Sequence, residues 1–143
     1  AKRMIAQAER DENTESPVGS IINISTLAAQ RTQPELLAYS VAGAALDQAT
    51  RSLALALAPE RIRVNGIAIA SVMSASLQAV LKDNPDWRGE ITDHTPLGRI
   101  AAPTELVHAV QFLASDGAGF VTGQVLNVDG GRGLIDAVSA PGY

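Results

Sequence analysis

Three near-continuous apolar runs set the tightest limit on what this 143-residue chain can fold into: residues 20–25 (SIINIS), 61–70 (RIRVNGIAIA) and 124–129 (QVLNVD). Parallel strands covered on both faces read this way, because they have no wet side on which to alternate. Helical stretches separate the runs. Right-handed β-α-β crossovers and a parallel α/β sheet of about three strands with flanking helices are therefore expected. Three strands make a narrow sheet with one long apolar edge, and such an edge invites further pairing. The sequence reads as part of a larger sheet, or as one that needs a partner.

The longest helix is expected over residues 39–58, YSVAGAALDQATRSLALALA. Ala, Leu, Gln and Arg dominate it, and no proline interrupts it before Pro59. Ala42, Ala45, Ala49, Leu53 and Ala56 fall on one small, apolar face that lets another backbone approach closely. Residues 1–12 read as a helix, and residues 11–17 (DENTESP) as a polar loop. Residues 26–38 form a loop containing Pro34. Residues 71–93 are mixed, with a short helix over 75–82 capped by Ser74, whose hydroxyl oxygen accepts orphan helix N–H groups. Residues 95–103 are a loop. Pro103 suits the first turn of a helix over 104–115, where its missing N–H costs nothing and Leu106, Val110 and Leu113 form the buried stripe. The tail from Arg132 onward has no clear period.

Composition excludes several classes. Charged residues make up 18% and the net charge is −4, which argues against nucleic acid or an anionic membrane as partner. No apolar run reaches the ~20 residues that span a bilayer. There is no cysteine, so disulfides and thiolate metal sites are ruled out. His94 and His108 lack metal-motif spacing and read as ordinary histidines. Residues 1–10 (AKRMIAQAER) contain no apolar h-region, so they read as the end of a helix rather than a signal peptide, and a cytoplasmic location is expected.

Four segments together carry a family resemblance. GSIINIST (19–26) resembles the strand that ends at a catalytic serine. YSVAGAAL (39–46) resembles Y-x-A-S-K-A-A-L, and RIRVNGIA (61–68) resembles I-R-V-N-x-I-x. PLGRIAAPTELVHAVQFLASDGAGFVTGQVLNVDGG (96–131) is close to the consensus from helix to final strand. The chain resembles the C-terminal half of a short-chain dehydrogenase/reductase, of the type related to 3-oxoacyl-carrier-protein reductases. That implies a doubly wound, Rossmann-like parallel sheet that binds NAD or NADP at the carboxyl ends of its strands. Residues 1–143 then correspond to the C-terminal half of such a domain. The glycine-rich phosphate turn belongs to the half that precedes them. Gly117-Ala118-Gly119 follows a helix and lacks the strand–turn–helix context of that turn.

The resemblance implies hydride transfer between a nicotinamide and a carbonyl or alcohol substrate. Tyr39 matches the family's proton donor and acceptor, and Thr26 stands where a serine polarises the carbonyl. Ser25, its neighbour, points to the opposite face if the strand alternates. The family's lysine, four residues after the tyrosine, shares its helix face, and a positive charge there favours the phenolate. Here that position is Gly43, so activity is expected to be slow, and lysine at 43 is expected to raise it. Neither Arg31 nor Arg51 is positioned by sequence to replace the lysine. The family's proline-glycine after the second strand is Ile69-Ala70 here. Its G-x-V-x-T continues as Ala70-Ser71-Val72-Met73-Ser74, which makes Tyr39, Ala70, Val72 and Ser74 the expected contacts to the nicotinamide end. Residues 73–87 match a variable substrate lid, in which Leu77 and Trp87 are candidate pocket residues. The altered site leaves a second reading open, a catalytically impaired structural or regulatory subunit. Under either reading the resemblance implies a homodimer or homotetramer, assembled through the 39–58 helix and the C-terminal strand region. No metal is expected.

Overall fold

A computed structural model describes residues 1–12 and 15–138. Part of the expected polar loop and the end of the tail lie outside the described residues. Three strands form one parallel sheet in the order β1 (Gly19–Thr26), β2 (Ile62–Ile69), β3 (Val125–Val128). Gly19 opposes Ile62 and Thr26 opposes Ile69, so β1 and β2 end level. Ile69 in turn opposes Val128 on β3. Five helices connect and cover the strands: α1 (Lys2–Arg10), α2 (Leu37–Leu57), α3 (Ala75–Asp83), α4 (Trp87–Asp93) and α5 (Pro103–Ala114).

The central strand explains the double winding. Ile62 and Val64 of β2 are fully buried with Ala54 of α2, and Met4, Ile5, Ile21 and Leu57 pack around them. Ile67, also fully buried, points to the other face and meets Leu113 of α5 and Ala118, with Ile22, Leu106 and Val110 alongside. Two apolar cores therefore sit on opposite faces of one sheet, which is why β2 carries no polar alternation. The stripe expected on α5 is the one it buries, and Pro103 is its first residue.

The face expected to be small on α2 is not the one it buries. Gly43, Asp47, Thr50 and Ala54 turn inward, whereas Ala42, Ala45, Leu53 and Ala56 are exposed and Ala49 is half-buried. Polar atoms on the buried stripe find partners within the fold. Thr50 Oγ1 donates to the Leu46 carbonyl (2.8 Å) and accepts from Asn23 Nδ2 (2.8 Å). Asp47 differs, since its Oδ1 has no partner among the described residues.

Two side chains close the far end of the sheet. Asn65 is fully buried; its Nδ2 donates to the Val121 carbonyl (2.8 Å) and its Oδ1 accepts from the Gln124 N–H (3.0 Å). Arg63 Nη1 donates to the Leu113 carbonyl (2.8 Å) and Nη2 to the Ser115 carbonyl (3.2 Å), placing a cation at the C-terminus of α5.

At the other end of α5, Glu105 accepts from the Ala102 N–H (2.8 Å) and takes both Arg99 Nη groups (2.6 and 2.7 Å). Hydrogen bonds from Arg99, then from the Ala102 N–H, lower the Glu105 carboxyl from 4.5 to about 2. A carboxyl lowered in the folded state stabilises above its unfolded value, and that contribution fades as pH falls from 4.5 toward 2. Glu105→Gln is therefore expected to melt below wild type at pH 7, with the gap closing by about pH 2 in a series of thermal melts. The pair is exposed, so the difference will be small.

Candidate functional site

The carboxyl ends of β1 and β2 bring the expected site residues to one end of the sheet. Thr26 is the last residue of β1 and is 7% exposed. Its Oγ1 accepts from the Ala28 N–H (3.2 Å), capping a 3-10 turn over Leu27–Ala29. Because the acceptor side of the hydroxyl is occupied, its single O–H remains available as a donor. A second 3-10 turn, Pro34–Leu36, feeds directly into α2, so the helix starts at Leu37, two residues before the expected start. Tyr39 lies in its first turn and is 54% exposed, leaving the ring accessible from solvent.

Gly43 connects these two residues. It lies one helical turn, about 6 Å of rise, beyond Tyr39. A Cβ built on Gly43 falls 2.7 Å from the Thr26 methyl and 3.1 Å from the Ala29 Cβ. Position 43 is therefore not an empty lysine site: the Thr26 methyl and Ala29 fill the space beside it. Arg31 and Arg51 are engaged elsewhere. Arg31 Nε donates to the Gly133 carbonyl (2.9 Å), with Nη2 on the same oxygen, and Arg51 Nη1 contacts Gln48 (3.5 Å).

The loop after β2 is held by backbone bonds. The Ala70 N–H donates to the Val128 carbonyl (3.4 Å), and Val72 bridges Ala101 in parallel fashion. Ser74 caps α3 by accepting from the Leu77 N–H (3.2 Å). Ser74 is exposed and keeps its O–H, while Ala70 and Val72 are half-buried. Ser25 is buried, and its Oγ has no partner among the described residues. The segment expected to be a mixed lid contains α3 and a further helix, α4, missed because WRGEITD is short and carries Gly89. Thr92 Oγ1 secures α4 by donating to the Gly89 carbonyl (2.9 Å). Trp87 opens α4 about half exposed, and Leu77 is half-buried.

Sequence reading missed a latch beside Thr26. Gln30 and Asn127 exchange amide hydrogen bonds in both directions (3.0 and 2.9 Å), joining the loop after β1 to the end of β3. Asp129 then accepts from the Gly131 and Gly133 N–H groups (2.9 and 2.8 Å). A cavity of about 420 Å³ opens nearby, lined by residues that include Ser71, Thr95, Arg99, Asn127 and Asp129. Their side chains are already paired within the fold. Among the described residues no cluster of metal-binding side chains occurs, and no helix is long and apolar enough to cross a membrane.

A parallel sheet with helices on both faces and polar groups at its carboxyl end is a doubly wound α/β fold. The family described as Enoyl-(Acyl carrier protein) reductase matches residues 1–132. The 7alpha-hydroxysteroid dehydrogenase of Escherichia coli K12 is 32% identical over 127 residues, covering 89% of this chain and 49% of that protein. A gluconate 5-dehydrogenase from Burkholderia cenocepacia J2315, solved with NADP and tartrate, superposes with a TM-score of 0.82 at 30% identity, over 94% of this chain and 49% of that one. A 7 alpha-hydroxysteroid dehydrogenase solved with NADH and 7-oxo glycochenodeoxycholic acid gives a TM-score of 0.75 at 34% identity, over 79% of this chain and 44% of its own. The chain belongs to the short-chain dehydrogenase/reductase family of oxidoreductases. It spans about half the length of the relatives it matches.

Proposed function

We propose that this chain forms the reacting end of an NAD(P)-dependent oxidoreductase acting on a carbonyl or alcohol. One observation supports the reading: Thr26 ends β1, Tyr39 lies in the first turn of the helix that follows it, and the 70–74 loop leaves β2 where the two strands end level. The groups present suit a nicotinamide end, with an accessible phenol, a threonine O–H and an exposed serine hydroxyl to hydrogen-bond and the Val72 side chain as an apolar contact. A nicotinamide, when bound, supplies or accepts the hydride. Thr26 donates to the substrate oxygen and holds it. Tyr39 gives that oxygen its proton in reduction and takes it back in oxidation. Titrating NADH and NADPH separately into the purified protein, followed by fluorescence, tests this and tells the two cofactors apart. Binding of neither removes the oxidoreductase reading.

A second reading rests on Gly43. With no ammonium beside the phenol, the fold can persist as a non-catalytic subunit. Cofactor binding without turnover of any carbonyl substrate selects it.

Both readings include self-association. α2 exposes Ala42, Ala45, Leu53 and Ala56, with Val41 and Leu55 flanking them, and Phe112 of α5 and Leu126 of β3 are also exposed. Small residues of this kind let a second α2 approach closely. Leu53→Asp is expected to shift a dimer or tetramer toward monomer in sedimentation velocity. An unchanged sedimentation profile removes α2 as the interface.

A further inference from the structure

We infer that Gly43 is a positioning residue for Thr26, and that the two form one steric unit. The inference rests on the proposed function only in calling Thr26 the carbonyl donor; the coupling itself is a property of the fold.

Threonine is branched at Cβ, so its χ1 rotamer fixes methyl and hydroxyl together. The methyl points at Gly43, 2.7 Å from where a Cβ would stand. In that same rotamer Oγ1 accepts from the Ala28 N–H. A side chain at 43 displaces the methyl, and rotation about χ1 then carries Oγ1 away from Ala28. Glycine at 43 thus leaves room for the rotamer in which the hydroxyl is anchored and its O–H is free. Serine at 26 has no methyl and would leave position 43 unconstrained by residue 26. The two departures from the family motif, Thr26 and Gly43, are in this view one change.

The sign of a single substitution separates this from a local account. Gly→Ala in a helix interior normally stabilises, because glycine is the poorer helix former. Here Gly43→Ala is expected to lower the melting temperature by roughly 5 °C, as an overpacked core does. It should also speed amide exchange of Ala28 about tenfold more than that of other protected amides, through loss of the Thr26 bond. In the double variant Thr26→Ser/Gly43→Ala both effects should reverse. Ala29, 3.1 Å from the added Cβ, then yields by a few tenths of an ångström.

The cycle is measured on the purified protein without substrate. A rise in melting temperature for Gly43→Ala, or uniform loss of protection without selective change at Ala28, overturns the inference. So does a double variant no better than Gly43→Ala. Failure of NADH and NADPH to bind, with the cycle intact, removes the proposed function and leaves the coupling standing.

Discussion

Tyr39→Phe is expected to lower kcat/KM by about 10²- to 10⁴-fold, the usual contribution of a positioned proton donor. Cofactor affinity, measured by the same fluorescence titration, should change little by comparison. The substitution removes one oxygen from a residue that is 54% exposed, so the melting temperature should stay near that of wild type. Equal rates for the two proteins would remove Tyr39 from the chemistry. They would fit a phenol that cannot work without the neighbouring ammonium.

The second large effect is on stability. Asn65 satisfies two backbone groups from the loop leading to β3, and no water can reach it where it sits. Asn65→Ala leaves the Val121 carbonyl and the Gln124 N–H without their partner. At about 1–3 kcal/mol per orphaned buried group, the loss should come to roughly 2–6 kcal/mol in chemical denaturation. A loss under about 0.5 kcal/mol would mean that the loop pairs itself with backbone instead.

The fold was legible because its signals are local. Ile21, Ile22 and Ile24 mark β1, and Ile62, Val64 and Ile67 mark β2, without help from any distant residue. Pro103 and the Leu106, Val110 and Leu113 stripe place α5 in the same way. The buried face of α2 was not legible. Its inward stripe contains Asp47 and Thr50, while the apolar residues Ala42, Ala45 and Leu53 face outward, so hydrophobic content marked the face open to another backbone and gave no sign of the inward one. Packing against Asn23 and Thr26 decided the matter, and those contacts join residues 17 to 27 positions apart.

The candidate site divides along the same line. Tyr39, Thr26 and the 70–74 loop could be placed from motif spacing, because each lies at an element end that the pattern marks. What occupies the space beside Gly43 could not, since it depends on one methyl rotamer of a residue on another element. The Gln30–Asn127 latch spans 97 positions and follows no motif, so only the folded chain reveals it.

The Thr26 methyl, seated 2.7 Å from where a Cβ at position 43 would stand, also bears on history. In a lineage that began with serine and lysine at these positions, the order of replacement is constrained. Threonine arriving first would press its methyl against an existing Cβ. Glycine arriving first costs about 1 kcal/mol of helix stability and opens the room that threonine then fills. Once the methyl is seated, a return to lysine is blocked until residue 26 reverts. In such a lineage, the loss of the ammonium is a step that the next substitution locks behind it.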